Sequence, residues 1–345
     1  MVGGGKADRK FIAGIGISLF FLFLLFRKIE FYKLAAAFRE MEYGYLWPAV
    51  FLTFVSYFFR AVRWRFLLLP LKTAPMGSLF SSTIIGYMAN NLLPARLGEF
   101  VRAYVLAEKE RLPASAVFAT LVLDRLFDGF SVLLILLLTV FTLQLPPGME
   151  KVQQAMVMGG YVTLGIYLFI IVFIYVLKTR TIWTLHLLGM LLKPFPATVS
   201  EKVIPMLGTF IGGLRLSNKP RDVAALILSS LLIWITATWP IDLLLRAFGL
   251  TLPISASMFI LVFLVFAVMV PASPGYVGTY HFACVTALTA FNIQSEKALS
   301  IALVIHGVSF FPVIILGLFY LSKENLSFRK LARSSVPQEH LVEKQ

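Results

Sequence analysis

The chain alternates long apolar runs with short polar connectors, and within each run the apolar residues are continuous rather than every second one. Continuous apolar stretches read as membrane helices, because a helix satisfies every backbone group within its own segment, whereas membrane barrels show alternation. Crossing the hydrocarbon core takes ~20 such residues. Runs of that length fall at about 11–27, 46–67, 126–145, 155–177, 224–246 and 299–321. Three further runs, 76–93, 254–270 and 281–291, are too short or too interrupted to cross. The first of these leads into a polar cluster from Asn90 to Arg102, and the other two flank Pro271–Tyr280, where two prolines and two glycines break any helix.

Loop charge orders these segments. Lys178, Arg180, Lys193, Lys202, Arg215, Lys219 and Arg221 place the 178–222 connection in the cytoplasm, and Lys323, Arg329, Lys330 and Arg333 do the same for the tail. An even number of crossings must lie between them, so helices at 224–246 and 299–321 cross and the 254–291 pair enters and leaves on the outer side. Arg60, Arg63, Arg65 and Lys72 before 76–93, with Arg102, Lys109 and Arg111 after it, make that segment a hairpin entering from the cytoplasm. The expected fold is an all-α polytopic membrane protein with about six spanning helices and two re-entrant half-helix hairpins. A broken segment in each half points to an inverted repeat with a midplane site, although no aligned identity links the halves. The 27–45 connection fits poorly, since Arg27, Lys28, Lys33 and Arg39 fall outside in this scheme, partly offset by Glu30, Glu40 and Glu42.

One membrane domain over 1–322 and a cytoplasmic tail over 323–345 account for the chain. Segment 181–216 mixes Trp183, Leu187, Leu188 and Phe195 with Lys193, Pro194, Pro196 and Lys202, and is expected as an amphipathic helix on the inner leaflet. The N-terminus has signal-like basic residues before 11–26, but Arg27-Lys28 follows where a small-residue cleavage site would stand, so an uncleaved first helix is expected. Both termini are then cytoplasmic, in the cell (inner) membrane.

Composition agrees. The 345 residues are 59% hydrophobic and 14% charged, with a mean hydropathy of +0.85; a soluble domain carries roughly 25% charged residues. The net charge of +14 sits between the apolar runs, which fits anionic lipid headgroups better than nucleic acid. A single cysteine and four scattered histidines offer no disulfide framework and no metal-ligand spacing. No metal and no cofactor are expected.

Two stretches carry candidate chemistry. Pro94 suits the first turn of a helix, so a helix from Ala95 would aim free N–H groups at the hairpin tip, where a phosphate or carboxylate binds. Arg96 adds a forked donor, Glu99 and Arg102 follow at one-turn intervals, and Asn90 and Asn91 can satisfy open backbone at the tip. Alternatively, this is a basic helix that merely sets topology. In the second stretch Pro274, Gly275 and Gly278 permit tight backbone, and Tyr280 and His281 open another half-helix with an anion-suited end. Asp124, Arg125 and Asp128 are expected to open an apolar helix, either as dipole partners or as counter-charges to Arg96 or Arg102. Arg60, Arg63, Arg65 and Trp64 read mainly as an interfacial anchor, with headgroup contact as the minor alternative. Asp242 and Arg246 read as a local pair, and His306 as an interhelical hydrogen-bonding residue.

The motif Asn91-x-x-Pro94-x-Arg96-x-Gly98-Glu99-x-x-Arg102, then Asp124-Arg125 with Asp128-Gly129, then Pro271-x-x-Pro274-Gly275-x-x-Gly278, resembles the lysylphosphatidylglycerol synthase transmembrane, or flippase-like, family. Arg60-Ala61-x-Arg63-Trp64 is similar as well. The resemblance implies movement of an anionic or phosphate-bearing lipid between leaflets: an anionic phospholipid, a hopanoid or a polyprenyl-linked lipid. It does not imply amino-acid attachment, and it leaves room for a separate lipid-synthesis enzyme as partner. The substrate site it implies comprises Asn90, Asn91, Arg96, Glu99, Arg102, Asp124, Arg125, Asp128, Pro274, Gly275, Gly278, Tyr280 and His281, with no catalytic residue. The competing expectations are an intramembrane lipid-modifying transferase or hydrolase, and a lipid-binding scaffold for a synthesis enzyme.

Overall fold

The computed structural model describes residues 31–93, 97–143, 150–269 and 274–324. The described residues are helical, without strands: α1 Phe31–Arg39, α2 Leu46–Leu68, α3 Met76–Leu92, α4 Gly98–Glu110, α5 Ala114–Thr142, α6 Glu150–Thr179, α7 Thr181–Leu191, α8 Ala197–Gly213, α9 Pro220–Ala247, α10 Ile254–Met269, α11 Thr279–Thr289 and α12 Ser295–Lys323. The chain is an all-α membrane protein. Among the described residues four segments are long and apolar enough to cross a bilayer: Tyr43–Leu68, Gln153–Thr179, Pro220–Ala247 and Ser295–Lys323. They coincide with four of the expected spans; the 11–27 span lies outside the described residues, as do Pro94–Arg96, Pro271–Ser273 and the tail from 325 onward.

The packing is that of a protein surrounded by lipid. Tyr161, Phe169 and Phe173 on α6, Leu228 and Leu231 on α9, and Ile315 and Phe319 on α12 are exposed. A water-facing protein rarely presents apolar surface of this extent. The most extensive helix contact joins α2 to α9, where the Ser56 hydroxyl donates to the Ile233 carbonyl at 3.2 Å. Small side chains allow other helices to approach: at Gly317 an added Cβ would lie 2.5 Å from Met88 of α3.

Two pairs of short helices, α3 with α4 and α10 with α11, pack closely within each pair. They occupy the two regions expected to be broken. The α3–α4 pair is held at Gly98, where a Cβ would lie 2.1 Å from the Gly86 carbonyl oxygen and 2.5 Å from the Asn90 side chain. Gly98→Ala should therefore force the pair apart, lowering stability by about 1–3 kcal/mol. Thermal unfolding of the purified variant measures this, and an unchanged midpoint would show that the helices are not held by that approach.

Three expectations change. The charged group at 124–128 does not open a helix: α5 begins at Ala114, so Asp124, Arg125 and Asp128 stand in its interior. Interior charges are costly in a membrane helix unless paired, and the pairing described below is what lets the helix continue through them. Segment 181–216 forms two helices, α7 and α8, rather than one, and α8 packs on α5 with Phe210 against Phe118. The helix expected from Ala95 is described from Gly98.

Candidate functional site

At the centre lies a cluster of buried charges drawn from α2, α4 and α5. Arg63 is fully buried; its Nε donates to Asp124 at 2.8 Å and its Nη2 to Asp128 at 2.7 Å. This is a matched spacing. Arg60 and Arg63 lie one turn apart on α2, facing Asp124 and Asp128, one turn apart on α5. Arg102 of α4 donates to the other oxygen of Asp124 at 3.0 Å and lies flat over the Trp64 ring, 4.0 Å from its centroid. Trp64 is held by its indole N–H, which donates to Thr120 at 2.9 Å. Arg125 reaches Asp128 at 3.2 Å and Glu99 at 3.7 Å. Arg60 reaches Asp128 at 3.3 Å. Among the described residues of this cluster four guanidinium groups meet three carboxylates, so one positive charge is in excess.

The two short-helix pairs meet at their broken ends. At the first, the Asn90 side chain does two jobs: its Oδ1 accepts from the Gly98 N–H at 2.8 Å and its Nδ2 donates to Glu99 at 2.9 Å. The first amide of α4 is thus capped from within the chain, contrary to the expectation of an open amide end there. At the second, residues Pro274–Tyr276 form a tight turn with Gly275 at φ 75°, Tyr276 at φ 56° and Gly278 at φ 94°. Left-handed backbone at Gly275 and Gly278 needs the missing side chain. Across the junction the Tyr276 hydroxyl donates to the Asn90 carbonyl at 3.4 Å.

Beside this junction is a cavity of about 260 Å³. Its polar wall holds Arg60, Tyr87 and Asn91, with Tyr57, Tyr280, His306 and Ser309 further round, and Leu261, Leu264 and Val265 form an apolar wall. Arg60 donates to the Tyr87 hydroxyl at 2.9 Å, and Arg125 shares that hydroxyl at 3.0 Å, which ties the cavity to the charge cluster. Two of the long helices bordering it carry an internal proline, Pro240 in α9 and Pro312 in α12. Each removes the N–H that would have bonded the carbonyl four residues earlier. Those residues, Thr236 and Val308, both line the cavity.

The histidines form a relay. His281 Nδ1 accepts from the Gly278 N–H at 3.4 Å, so in the neutral ring Nε2 carries the proton and donates to His306 Nδ1 at 3.1 Å. The remaining nitrogen of His306 is then a donor. Tyr280 stacks on His306 with centroids 4.6 Å apart.

Of the sequence candidates, Asn91 and Tyr280 line the cavity, and Asn90, Pro274, Gly275 and Gly278 build the junction beside it. His281 acts through His306. Glu99, Arg102, Asp124, Arg125 and Asp128 form the charge cluster rather than the cavity wall. Arg96 lies outside the described residues. Sequence reasoning reads Arg60 and Arg63 mainly as an interfacial anchor, with headgroup contact as the minor alternative, whereas only Arg65 of that group is exposed. Arg63 is instead the main counter-ion of both aspartates. Asp242 and Arg246 do form the local pair expected, at 2.8 Å.

An all-α membrane protein with a buried arginine–aspartate cluster beside a small, largely apolar cavity with a polar patch is the class that these features define. The chain belongs to the family described as the lysylphosphatidylglycerol synthase TM region, which matches residues 11–317. Among curated proteins it is similar to a UPF0104 membrane protein of Methanothermobacter thermautotrophicus, 25% identical over 81% of this chain and 86% of that protein. It is also similar to Glycosyltransferase AglD of Haloferax volcanii, 22% identical over 94% of this chain but only 56% of that protein. A second UPF0104 membrane protein, from Methanocaldococcus jannaschii, is 22% identical over 69% of this chain and 95% of its own length.

Proposed function

We propose that this chain carries an anionic, phosphate-bearing lipid between the leaflets of the cell membrane, with both termini in the cytoplasm. The headgroup sits in the cavity beside the meeting ends of the α3–α4 and α10–α11 pairs, and these pairs enter the bilayer as re-entrant hairpins from opposite faces. Arg60 touches the phosphate. Arg63, Arg102 and Arg125 act at one remove, fixing Asp124 and Asp128 so that Arg60 is held in place. The observation that carries this reading is the cavity wall: its charged side chain is Arg60, in a cluster with one positive charge in excess. A phosphodiester brings the matching negative charge, and a guanidinium is the side chain best shaped for it. The acyl tails remain in lipid against the exposed apolar faces.

A second reading, a lipid-modifying enzyme, draws on the printed name of the Haloferax relative, of which this chain spans about half. Against it, both aspartates are engaged by arginines at 2.7–3.4 Å, which leaves them poorly suited to act as acid, base or metal ligand. Proteoliposomes containing phosphatidylglycerol with a fluorescent headgroup-proximal label, probed by a membrane-impermeant quencher, separate the two. The proposal expects the protein to raise the quenchable fraction from about half toward all of the label, with the lipid chemically unchanged. A plateau at half, or a modified lipid on chromatography, would overturn it.

A further inference from the structure

Resting on the lipid-carrying reading, we infer that the headgroup accepted is a neutral hydroxylated one, a polyol or single sugar on a phosphodiester, and that an aminoacylated, cationic headgroup is excluded. The cavity wall supports this in three ways. Among the described residues no carboxylate lines it. An ammonium group entering the cavity would meet Arg60, whose partner Asp128 at 3.3 Å is shared with Arg63 and Arg125 in a cluster with one positive charge in excess, and like charges brought together in a desolvated site are strongly unfavourable.

The aromatic rings do not supply an alternative. An ammonium can be held over ring faces, but Arg60 already lies over Tyr87 at 5.3 Å and near Trp234 at 5.7 Å. Tyr57 packs against Tyr87 at 5.0 Å, and Tyr280 is stacked on His306 at 4.6 Å. Each of these rings already has an aromatic or guanidinium neighbour.

What the wall does offer is neutral hydrogen bonding of both kinds. Hydroxyls come from Tyr57 and Ser309, an amide from Asn91, and a ring N–H from His306, the end of the relay that begins at Gly278. Thr236 and Val308, whose carbonyls lose their helical partner to Pro240 and Pro312, belong to the same wall. A hydroxyl both donates and accepts, so a polyol matches this set, whereas an ammonium only donates. The size fits too. About 260 Å³ lies at the lower edge of the ~300–1,000 Å³ usual for small-molecule sites, which suits one small headgroup and not an oligosaccharide.

Thermal stabilisation of the purified protein by added lipid tests this, with four probes: phosphatidylglycerol, phosphatidylinositol, phosphatidic acid and lysyl-phosphatidylglycerol. The first two should stabilise, with half-effect concentrations about tenfold below that of phosphatidic acid, the gain expected from two or so neutral hydrogen bonds. Lysyl-phosphatidylglycerol, whose lysyl group adds two ammonium charges, should require at least a hundredfold more than phosphatidylglycerol. Asn91→Leu and Ser309→Ala should reduce the advantage of the polyol lipids while leaving phosphatidic acid unchanged. Equal stabilisation by lysyl-phosphatidylglycerol would overturn the inference and leave the lipid-carrying reading standing. Stabilisation by none of the four would instead remove that reading.

Discussion

Asp124→Asn is expected to lower the stability of the protein by about 3–5 kcal/mol, the usual result of removing one member of a buried ion pair and leaving the other uncompensated. Asp124 is fully buried and is reached by Arg63 at 2.8 Å, Arg102 at 3.0 Å and Arg125 at 3.4 Å. With it neutral, four arginines face Asp128 and Glu99 alone. Two of these arginines, Arg63 and Arg102, are themselves buried and cannot turn to water. Arg102 already has Nε and Nη2 buried without a hydrogen-bond partner among the described residues, so its Asp124 contact is the one that neutralises it. Denaturation in detergent, followed by tryptophan fluorescence, measures the effect. Trp64 sits under Arg102 and reports on this region directly. A change below about 1 kcal/mol, the level of an exposed pair, would mean that the cluster is hydrated and not structural.

Arg60→Gln is expected to do the reverse: to remove lipid movement while leaving the fold. Arg60 has the longest of the arginine–Asp128 contacts, 3.3 Å against 2.7 Å for Arg63 and 3.2 Å for Arg125, so Asp128 keeps two partners when Arg60 is replaced. A phosphate in the cavity would lose its charged donor. Leaving a desolvated charge without its partner costs about 2–5 kcal/mol, which predicts a rate about a hundredfold lower in the proteoliposome assay. The unfolding midpoint should shift by a few degrees at most. Arg60→Lys should recover part of the rate, since it restores charge without the fork. Transport at the original rate in Arg60→Gln would show that the cavity is not the headgroup site.

The contrast between these two substitutions explains what could be read from the chain beforehand. The breaks at 93–97 and 270–278 were legible because proline and glycine forbid a continuous helix whatever surrounds them. The long apolar spans were legible from length. Asp124 and Asp128 were recognisable as counter-charges, and Arg102 is indeed a partner of Asp124. For Arg60 and Arg63 the leading reading is an interfacial anchor, with headgroup contact only the minor alternative. Arginines beside a tryptophan at the end of an apolar run match an interfacial anchor, and only the packing of α2 on α5 turns them inward. One signal was available: a one-turn spacing of arginines on α2 matched to a one-turn spacing of aspartates on α5. The same pairing accounts for the misplaced start of α5, because charges look like a helix boundary until their partners are known. The cavity itself could not be foreseen, since its lining comes from positions far apart in the sequence, from Thr53 to Phe310, that only the packing brings together.

The most direct measurement is density for the protein in lipid nanodiscs with its co-purified lipid. The account predicts a phosphate within hydrogen-bonding distance of the Arg60 guanidinium, about 2.7–3.2 Å, between Asn91 and the Pro274–Tyr276 turn. A cavity without a headgroup, in a protein whose bound lipids all lie along the outer faces of α6, α9 and α12, would contradict it.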